Sequence, residues 1–314
     1  MKPVRIGLIG AGTMGAFHAR VIASHPDVEF AWVCDQNPNV ARRIGELHKV
    51  GHSVEPDLSM VDAVVVATPT QFHHKVAKSL LDQGIPLLVE KPLAQSMSEV
   101  NELAEIALTK GVVLQCGLLE RFNPAFQTLL DLCRNPLEVR TVRHSPPASR
   151  IVTGVSGDLL IHDIDLVLRL FASTPVSQVA KTDGEARPSG VEETAELLLE
   201  FSEGRIAALS ASRRSHRKVR SIQVIEEDRL IDVDLLRRDI TIYKHMLESS
   251  TEDELGYRQQ TIMEIPVIAH QGEPLRLQLD HFLSLLRHEV DPSVEIGSII
   301  APHQILGGFE PVAS

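Results

Sequence analysis

Two short stretches of this sequence hold side chains able to move a proton. In 155-VSGDLLIHDIDLVLRLF-171, Asp158, His162, Asp163 and Asp165 stand among leucines and isoleucines at the apolar spacing of a buried helix. Isolated charges are costly in apolar surroundings, so this grouping calls for either a solvated face or a site. Asp158 and His162 are four residues apart and share one face of a helix, where both can meet the same ligand. Asp163 is off that face, and a solvated or ion-paired acid fits it as well as a functional contact does. In 89-VEKP-92 a lysine follows a short apolar run and precedes a proline that restrains its backbone. Lys91 and His162 are the two candidate bases.

The start of the chain suggests what such a base would serve. Residues 4-VRIGLIGAGTMGAFHARVIASH-25 read as an apolar strand, a glycine turn and a helix, with Gly10, Gly12 and Gly15 in the pattern GxGxxG. Alone the pattern is weak. Here a second strand, 29-EFAWVCD-35, follows the helix and ends in an acid twenty residues after Gly15, which makes the turn a dinucleotide-binding one. Gly10 permits the tight turn, Gly12 lets the backbone approach a pyrophosphate, and Gly15 allows close helix-strand packing. The helix N-terminus supplies amide donors. Asp35 would accept hydrogen bonds from ribose hydroxyls and repel a 2′-phosphate, so NAD is the expected cofactor rather than NADP. A purely structural βαβ turn is the alternative.

These groups must be held by the elements around them. Strand 61-VDAVVVATP-69, a helix through 73–84, strand 87-LLVE-90, a helix near 97–111 and strand 112-VVLQCGL-118 continue the alternation. Apolar strands separated by helices indicate a parallel sheet covered on both faces, with ligands beyond the carboxyl ends of the strands. Three such ends carry 67-ATPTQFHH-74, 89-VEKP-92 and 119-LERFNP-124. Past residue 120 the pattern changes: helices at 124–133 and from about Asp158 to Phe171 precede strands near 176–182, 194–201, 205–212, 221–227, 229–234 and 239–244. Strands in a run indicate a mostly antiparallel sheet in an α+β domain, and the alternation in AALSAS and SIQVIEE gives it one covered and one open face. A helix at 274-PLRLQLDHFLSLLRHE-289 packs against the rest, its histidines His281 and His288 serving packing or surface. The expected domains are a Rossmann unit over 1–120 and an α+β unit over 121–314.

Composition narrows the function classes. A length of 314 residues suits two domains. A 43% hydrophobic and 23% charged chain with no long apolar run suits a soluble protein rather than a membrane span. The net charge of −11 argues against a general affinity for nucleic acid. The basic stretch 213-RRSHRKVR-220 is the exception, read as a solvated strand edge or loop, or else as a surface for an anionic substrate or partner subunit. Three cysteines without a CxxC pair suggest neither a disulfide framework nor a cysteine zinc site, and no HExxH pair or carboxylate cluster suggests a metal. The N-terminus enters directly into a strand pattern without a signal-like apolar segment, so the expected location is the cytoplasm.

Taken together, 7-GLIGAGTMGAFHA-19, 66-VATPTQFH-73, 89-VEKPLA-94 and the stretch Asp158 to Asp165 resemble the Gfo/Idh/MocA family of NAD(P)-dependent oxidoreductases. The resemblance implies cofactor contacts at Gly10, Gly12, Thr13, Met14 and Gly15, at Asp35, at Thr68, Pro69, Thr70 and His73, and at Glu90 and Lys91. It implies a strand-end lysine, Lys91, as catalytic or substrate-positioning residue, and a DxGxHxxD helix start matched by Asp158, His162 and Asp165, with Leu160 where the family often has glycine. On this reading Lys91 is the leading base, His162 the alternate base or hydroxyl ligand, and Asp158 its orienter or a substrate acceptor. Arg121 could donate to substrate or cofactor, or form a surface ion pair. The resemblance further implies that the open sheet face forms a subunit interface, hence a homodimer or homotetramer. The stretches 120-ERFNPAF-126 and 158-DLLIHDID-165 are similar to those of the family's UDP-N-acetylglucosamine 3-dehydrogenases, which prepare a 3-keto sugar for an aminotransferase. A diphosphate on such a substrate would need further cations, with Arg143, Arg150 and Arg213 available. Two alternatives stay open: a dehydrogenase of a free or phosphorylated polyol such as inositol or glucose, and a non-catalytic regulator that senses NAD or a sugar.

Overall fold

Six short strands, β1 (Val4–Ile9), β2 (Val28–Cys34), β3 (Gly51–Ser53), β4 (Ala63–Val66), β5 (Leu87–Val89) and β6 (Leu114–Cys116), pair in the order β3-β2-β1-β4-β5-β6. Every pairing is parallel, as a sheet built from strand-helix-strand units requires. The computed structural model describes residues 2–147, 153–184, 191–248 and 258–309. Helices α1 (Thr13–Ser24), α2 (Pro38–His48), α3 (His73–Asp82) and α4 (Met97–Lys110) connect the strands. The all-buried VVV of β4 and LLV of β5 show that both sheet faces are covered. The strand order reverses between β1 and β4, and the residues beyond their carboxyl ends, including Gly10 and Thr68, lie where such sheets bind ligands.

The first unit is not confined to the N-terminal third. It comprises Met1–Leu119 together with Glu273–Gly307, so the expected boundary of 121–314 for the second domain is corrected at its C-terminal end. The cause is apolar burial. Helix α7 (Pro274–Leu286) buries Leu275, Leu279, Phe282 and Leu283 in one cluster with Ile6, Leu8, Ile22 and Phe30, and lies beside α1. Helix α8 (Pro292–Gly307) packs against α4 and β6.

The second unit spans Glu120–Gly272 in its described part. After α5 (Pro124–Leu132), capped by Asn123, come β7 (Glu138–His144), a π-helical turn Ser156–Leu160 and α6 (Ile161–Phe171). Strands β8 (Ser177–Thr182), β9 (Thr194–Glu200), β10 (Ile206–Ser212), β11 (Val219–Ile225), β12 (Leu230–Asp234), β13 (Asp239–Glu248) and β14 (Arg258–Glu264) follow. Their order is β14-β13-β12-β11-β7-β10-β9-β8, antiparallel except where β10 meets β7. Register and burial agree: Val139, Thr141 and Arg143 of β7 are buried with Ala207, Leu209 and Ala211 of β10, while Arg140 and Leu198 face outward. One face is covered and the other open, as the alternation in the sequence predicts. Among the described residues no helix is long and apolar enough to cross a membrane.

Candidate active site

The glycine turn is shaped by contacts that leave no room for side chains at two of its positions. Gly10 has a φ of +94°, and a Cβ there would lie 2.5 Å from the carbonyl of Ala67; at Gly15 it would lie 2.0 Å from the oxygen of Gly10. Around Gly12 the space is open, with nothing within 4 Å of such a carbon. Gly12 begins α1, whose N-terminus has no side-chain cap and no acid in its first turn, whereas α2, α4 and α5 are capped by Asn37, Ser96 and Asn123. Asp35 reaches back to this turn: Oδ2 accepts from the amide of Ala11 and Oδ1 from that of Asn37, both at 2.8 Å. Beyond β4, Thr68 Oγ1 is buried with no hydrogen-bond partner among the described residues.

Lys91 follows β5 in a turn whose Lys91–Pro92 peptide is cis. Glu90 is buried; its Oε1 lies 2.7 Å from Nε2 of His18, and Oε2 accepts from the amide of Lys91 at 3.2 Å. Burial pushes the Glu90 carboxyl up, but His18 and Lys91 outweigh it and leave it below the usual carboxylate range. His73, expected to touch the cofactor, has Nδ1 2.8 Å from the oxygen of Pro92 and Nε2 2.8 Å from that of Thr68. Both ring nitrogens thus face main-chain carbonyls, and the ring ties the β4 loop to the Lys91 turn.

In the second unit the acids of 158-DLLIHDID-165 meet arginines. Asp158 lies in the π-helical turn and His162 in the first turn of α6, so the helix expected to run unbroken from Asp158 changes its hydrogen-bond pattern between them. Arg213, just after β10, donates from Nη2 to Asp158 Oδ2 at 2.7 Å. Asp163 is buried and accepts from Arg143 Nε and Nη2 at 3.0 and 2.7 Å, which settles it as an ion-paired acid. Arg143 Nη1 also donates to Glu120 Oε1 at 3.0 Å, and Arg220 Nη1 reaches the same oxygen at 2.6 Å. Burial works against the Arg143 charge, but Asp163 and Glu120 more than offset it, so the guanidinium stays charged. Arg121 directs Nε and Nη2 to Asp165 at 3.0 and 2.7 Å with both side chains buried, so its ion pair is an interior one.

Several expectations are therefore revised. Arg143 is fully buried in its pair with Asp163 and Glu120, and Arg213 is bound to Asp158, so neither stands ready for a substrate diphosphate; Arg150 lies outside the described residues. Most arginines of the basic stretch answer acids: Arg213 pairs with Asp158, Arg214 with Asp183 and Arg220 with Glu120. His281 lies 3.1 Å from Glu295 and His288 is exposed, consistent with packing and surface roles. Sequence reasoning missed His18 and His303. A signal existed for His18, a lone titratable group on the inward side of α1 between Gly15 and Ile22. None existed for His303, whose partner Leu93 is 210 residues away.

Residues 4–118 match the model of an oxidoreductase family with an NAD-binding Rossmann fold, and residues 137–230 match the C-terminal domain of the Gfo/Idh/MocA group. The chain is 32% identical over 248 residues to UDP-N-acetylglucosamine 3-dehydrogenase of Acidithiobacillus ferrooxidans, covering 77% of this chain and 78% of the relative. The chain belongs to the Gfo/Idh/MocA oxidoreductase family. The solved structure of that dehydrogenase superposes with a TM-score of 0.84 at 26% identity, covering 98% of this chain and 96% of the other. An inositol 2-dehydrogenase of Rhizobium meliloti is 27% identical over 230 residues, 68% of this chain and 69% of its own. GenD2 from gentamicin A biosynthesis, solved with NAD, shares the fold with a TM-score of 0.78 at 21% identity over 98% and 95% of the two chains.

As a Gfo/Idh/MocA oxidoreductase the chain uses NAD through its Rossmann unit. The residues fit that group. The uncapped start of α1, the open space at Gly12 and the buried, unmatched Thr68 hydroxyl together leave donors facing the carboxyl edge of the sheet. Asp35, fixed by two amides through one lone pair of each oxygen, has further lone pairs that would accept from ribose hydroxyls.

Proposed function

We propose that this oxidoreductase removes hydrogen from C3 of UDP-N-acetylglucosamine, acting in the cytoplasm with NAD and yielding the 3-keto sugar nucleotide for a following transamination. The observation that carries the chemistry is Lys91, an amine fixed at the carboxyl end of β5, one strand from the switch point of an NAD-binding sheet. The choice of sugar is supported by the 32% identity to the Acidithiobacillus ferrooxidans enzyme. NAD, when bound, accepts the hydrogen and electron pair that leave C3. Lys91 takes the hydroxyl proton as the ketone forms. His162 binds the hydroxyl or acts as the alternate base. Asp158, held by Arg213, accepts from the sugar.

Arg121 acts in this scheme by holding Asp165 of α6. The enzyme works as a homo-oligomer through the open face of the second sheet, where Val179, Leu198 and Met263 are 64%, 47% and 60% exposed. The similarity to inositol 2-dehydrogenase supports a second reading, a polyol dehydrogenase with the same proton acceptor. The deciding experiment follows NADH absorbance with UDP-N-acetylglucosamine, inositol, glucose and glucose 6-phosphate, with wild type and Lys91→Met. NADH from the nucleotide sugar alone, lost in the variant, supports the proposal. NADH from a free polyol selects the second reading. Silence with every sugar, even with an aminotransferase removing the ketone, while NAD binds, would overturn both in favour of a sensor.

A further inference from the structure

Three histidines that the reaction scheme does not use converge on the four residues Glu90 to Leu93. His18 of α1, His73 of α3 and His303 of α8 are 4%, 1% and 5% exposed, so each ring is surrounded by protein. His18 lies 2.7 Å from Glu90 Oε1, whose second oxygen receives the Lys91 amide. His73 lies 2.8 Å from the Pro92 oxygen. His303 Nε2 accepts from the amide of Leu93 at 2.9 Å, and its Nδ1 donates to Ile299 O at 2.7 Å. The main-chain groups on either side of Lys91 are thus fixed from three separate helices.

We propose that His18, His73 and His303 are positioning residues that hold the Lys91 turn at the geometry needed for proton acceptance. The inference rests on Lys91 being that acceptor. Imidazole suits the task because its rigid ring carries a polar atom on each of two sides, so one side chain can reach two main-chain or carboxylate groups at once. For His303 the directions are determined: Leu93 N–H can only donate, so Nε2 is an acceptor and the ring is neutral with its proton on Nδ1. Glu90, held below the ordinary carboxylate range with His18 and Lys91 as opposing causes to burial, keeps a negative charge under the turn. The assignment also gives a catalytic purpose to the returning C-terminal segment, because α8 delivers His303 to a turn more than two hundred residues earlier.

The test compares His18→Leu and His303→Leu with His18→Gln and His303→Gln, in which an amide keeps a polar atom at the Nε2 position. Three readouts are taken on the full-length protein: NAD affinity by calorimetry, acylation of Lys91 by acetic anhydride relative to exposed Lys49, and kcat against KM with UDP-N-acetylglucosamine. The leucine variants are expected to change the Lys91-to-Lys49 labelling ratio at least about threefold and to lower kcat roughly tenfold. NAD affinity stays within about twofold, since the phosphate and ribose contacts are separate, and the glutamine variants recover most of both losses. If a leucine variant does not fold, His303→Asn replaces it, retaining a group near Ile299 without the reach to Leu93. Folded variants whose Lys91 labelling and kcat equal those of the wild type would overturn the inference. If the wild type itself turns over no sugar, the proposed function fails, and the labelling ratio still decides whether the histidines set Lys91.

Discussion

Arg213 and Asp158 form an ion pair of 2.7 Å that joins the end of β10 to the π-helical turn before α6. The arginine side chain is 4% exposed and the carboxylate 21%, so the pair is anchored inside and open at the acid. A carboxylate held this way presents a fixed acceptor to a ligand, and its loss should appear in sugar recognition before it appears in stability. Arg213→Met is expected to lower kcat/KM for the sugar about tenfold to a hundredfold, with the KM for NAD unchanged. Arg213→Lys should recover only part, since one ammonium does not reproduce the guanidinium fork. Steady-state kinetics with each substrate varied in turn checks this; a parallel rise in the NAD KM would argue against it.

The second prediction concerns the buried network below that turn. Arg143 serves Asp163 and Glu120 together, so Arg143→Met leaves Asp163 in the interior without its cation, at a cost of about 3–5 kcal/mol in urea unfolding. Burial pushes the Glu120 carboxyl up, and Arg143 and Arg220 outweigh it, leaving it below the usual range. A carboxyl depressed in the folded state stabilises the fold above its unfolded pKa of about 4.3 and loses that contribution as pH falls through the lower folded value. Glu120→Gln should therefore flatten the loss of stability below about pH 4. Urea midpoints measured from pH 7 downward in both proteins provide the check.

Much of this architecture was legible in the sequence because it rests on local pattern. The glycine turn is a local motif, the strands of the first sheet are unbroken apolar runs, and the alternation of β10 and β11 is a two-residue period set by burial. What escaped was set by distant partners. Strand β7 reads EVRTVRH, three charges in seven residues, and is central only because Arg143 finds Asp163 and Glu120. Helix α8 opens on the cap signal Asp291–Pro292, but it carries Gly297 and Pro302 and buries residues on several sides, so it lacks a helical period. The return of α7 and α8 to the first unit depends on a core that no local window contains. Asp158, His162 and Lys91 stood out by type and spacing, and Arg121, Arg143, Arg213 and His73 were named as ligand contacts, but the acids and carbonyls they meet were not legible, and His18 and His303 escaped altogether.

Asp35 yields the third prediction. Its two oxygens bind the amides of Ala11 and Asn37 and so fix the glycine turn, and in the proposed function its charge would face the adenosine ribose. Asp35→Ser should raise the KM for NAD roughly tenfold by removing two acceptors, while the rate with NADP rises because repulsion of a 2′-phosphate is gone. The ratio of kcat/KM for NAD and NADP is the quantity to measure, and an unchanged ratio would remove Asp35 from cofactor selection.

The last prediction addresses the cation that a nucleotide diphosphate would meet. Arg143 and Arg220 stand opposite each other on β7 and β11, share Glu120, and are followed toward solvent by Lys218, which is exposed just before β11. Arg220 chiefly, then burial, holds the Lys218 ammonium below its ordinary pKa, the mark of a group crowded by like charge. An anion bound beside Lys218 would relieve that crowding, whereas a free polyol would not. Lys218→Ala should raise the KM for UDP-N-acetylglucosamine about threefold to tenfold at low ionic strength, and less as salt screens the attraction. The KM for NAD serves as the internal control. A Lys218→Ala enzyme whose sugar KM and salt dependence match the wild type would place the diphosphate elsewhere, and equal effects on a sugar without phosphate would point to packing rather than charge.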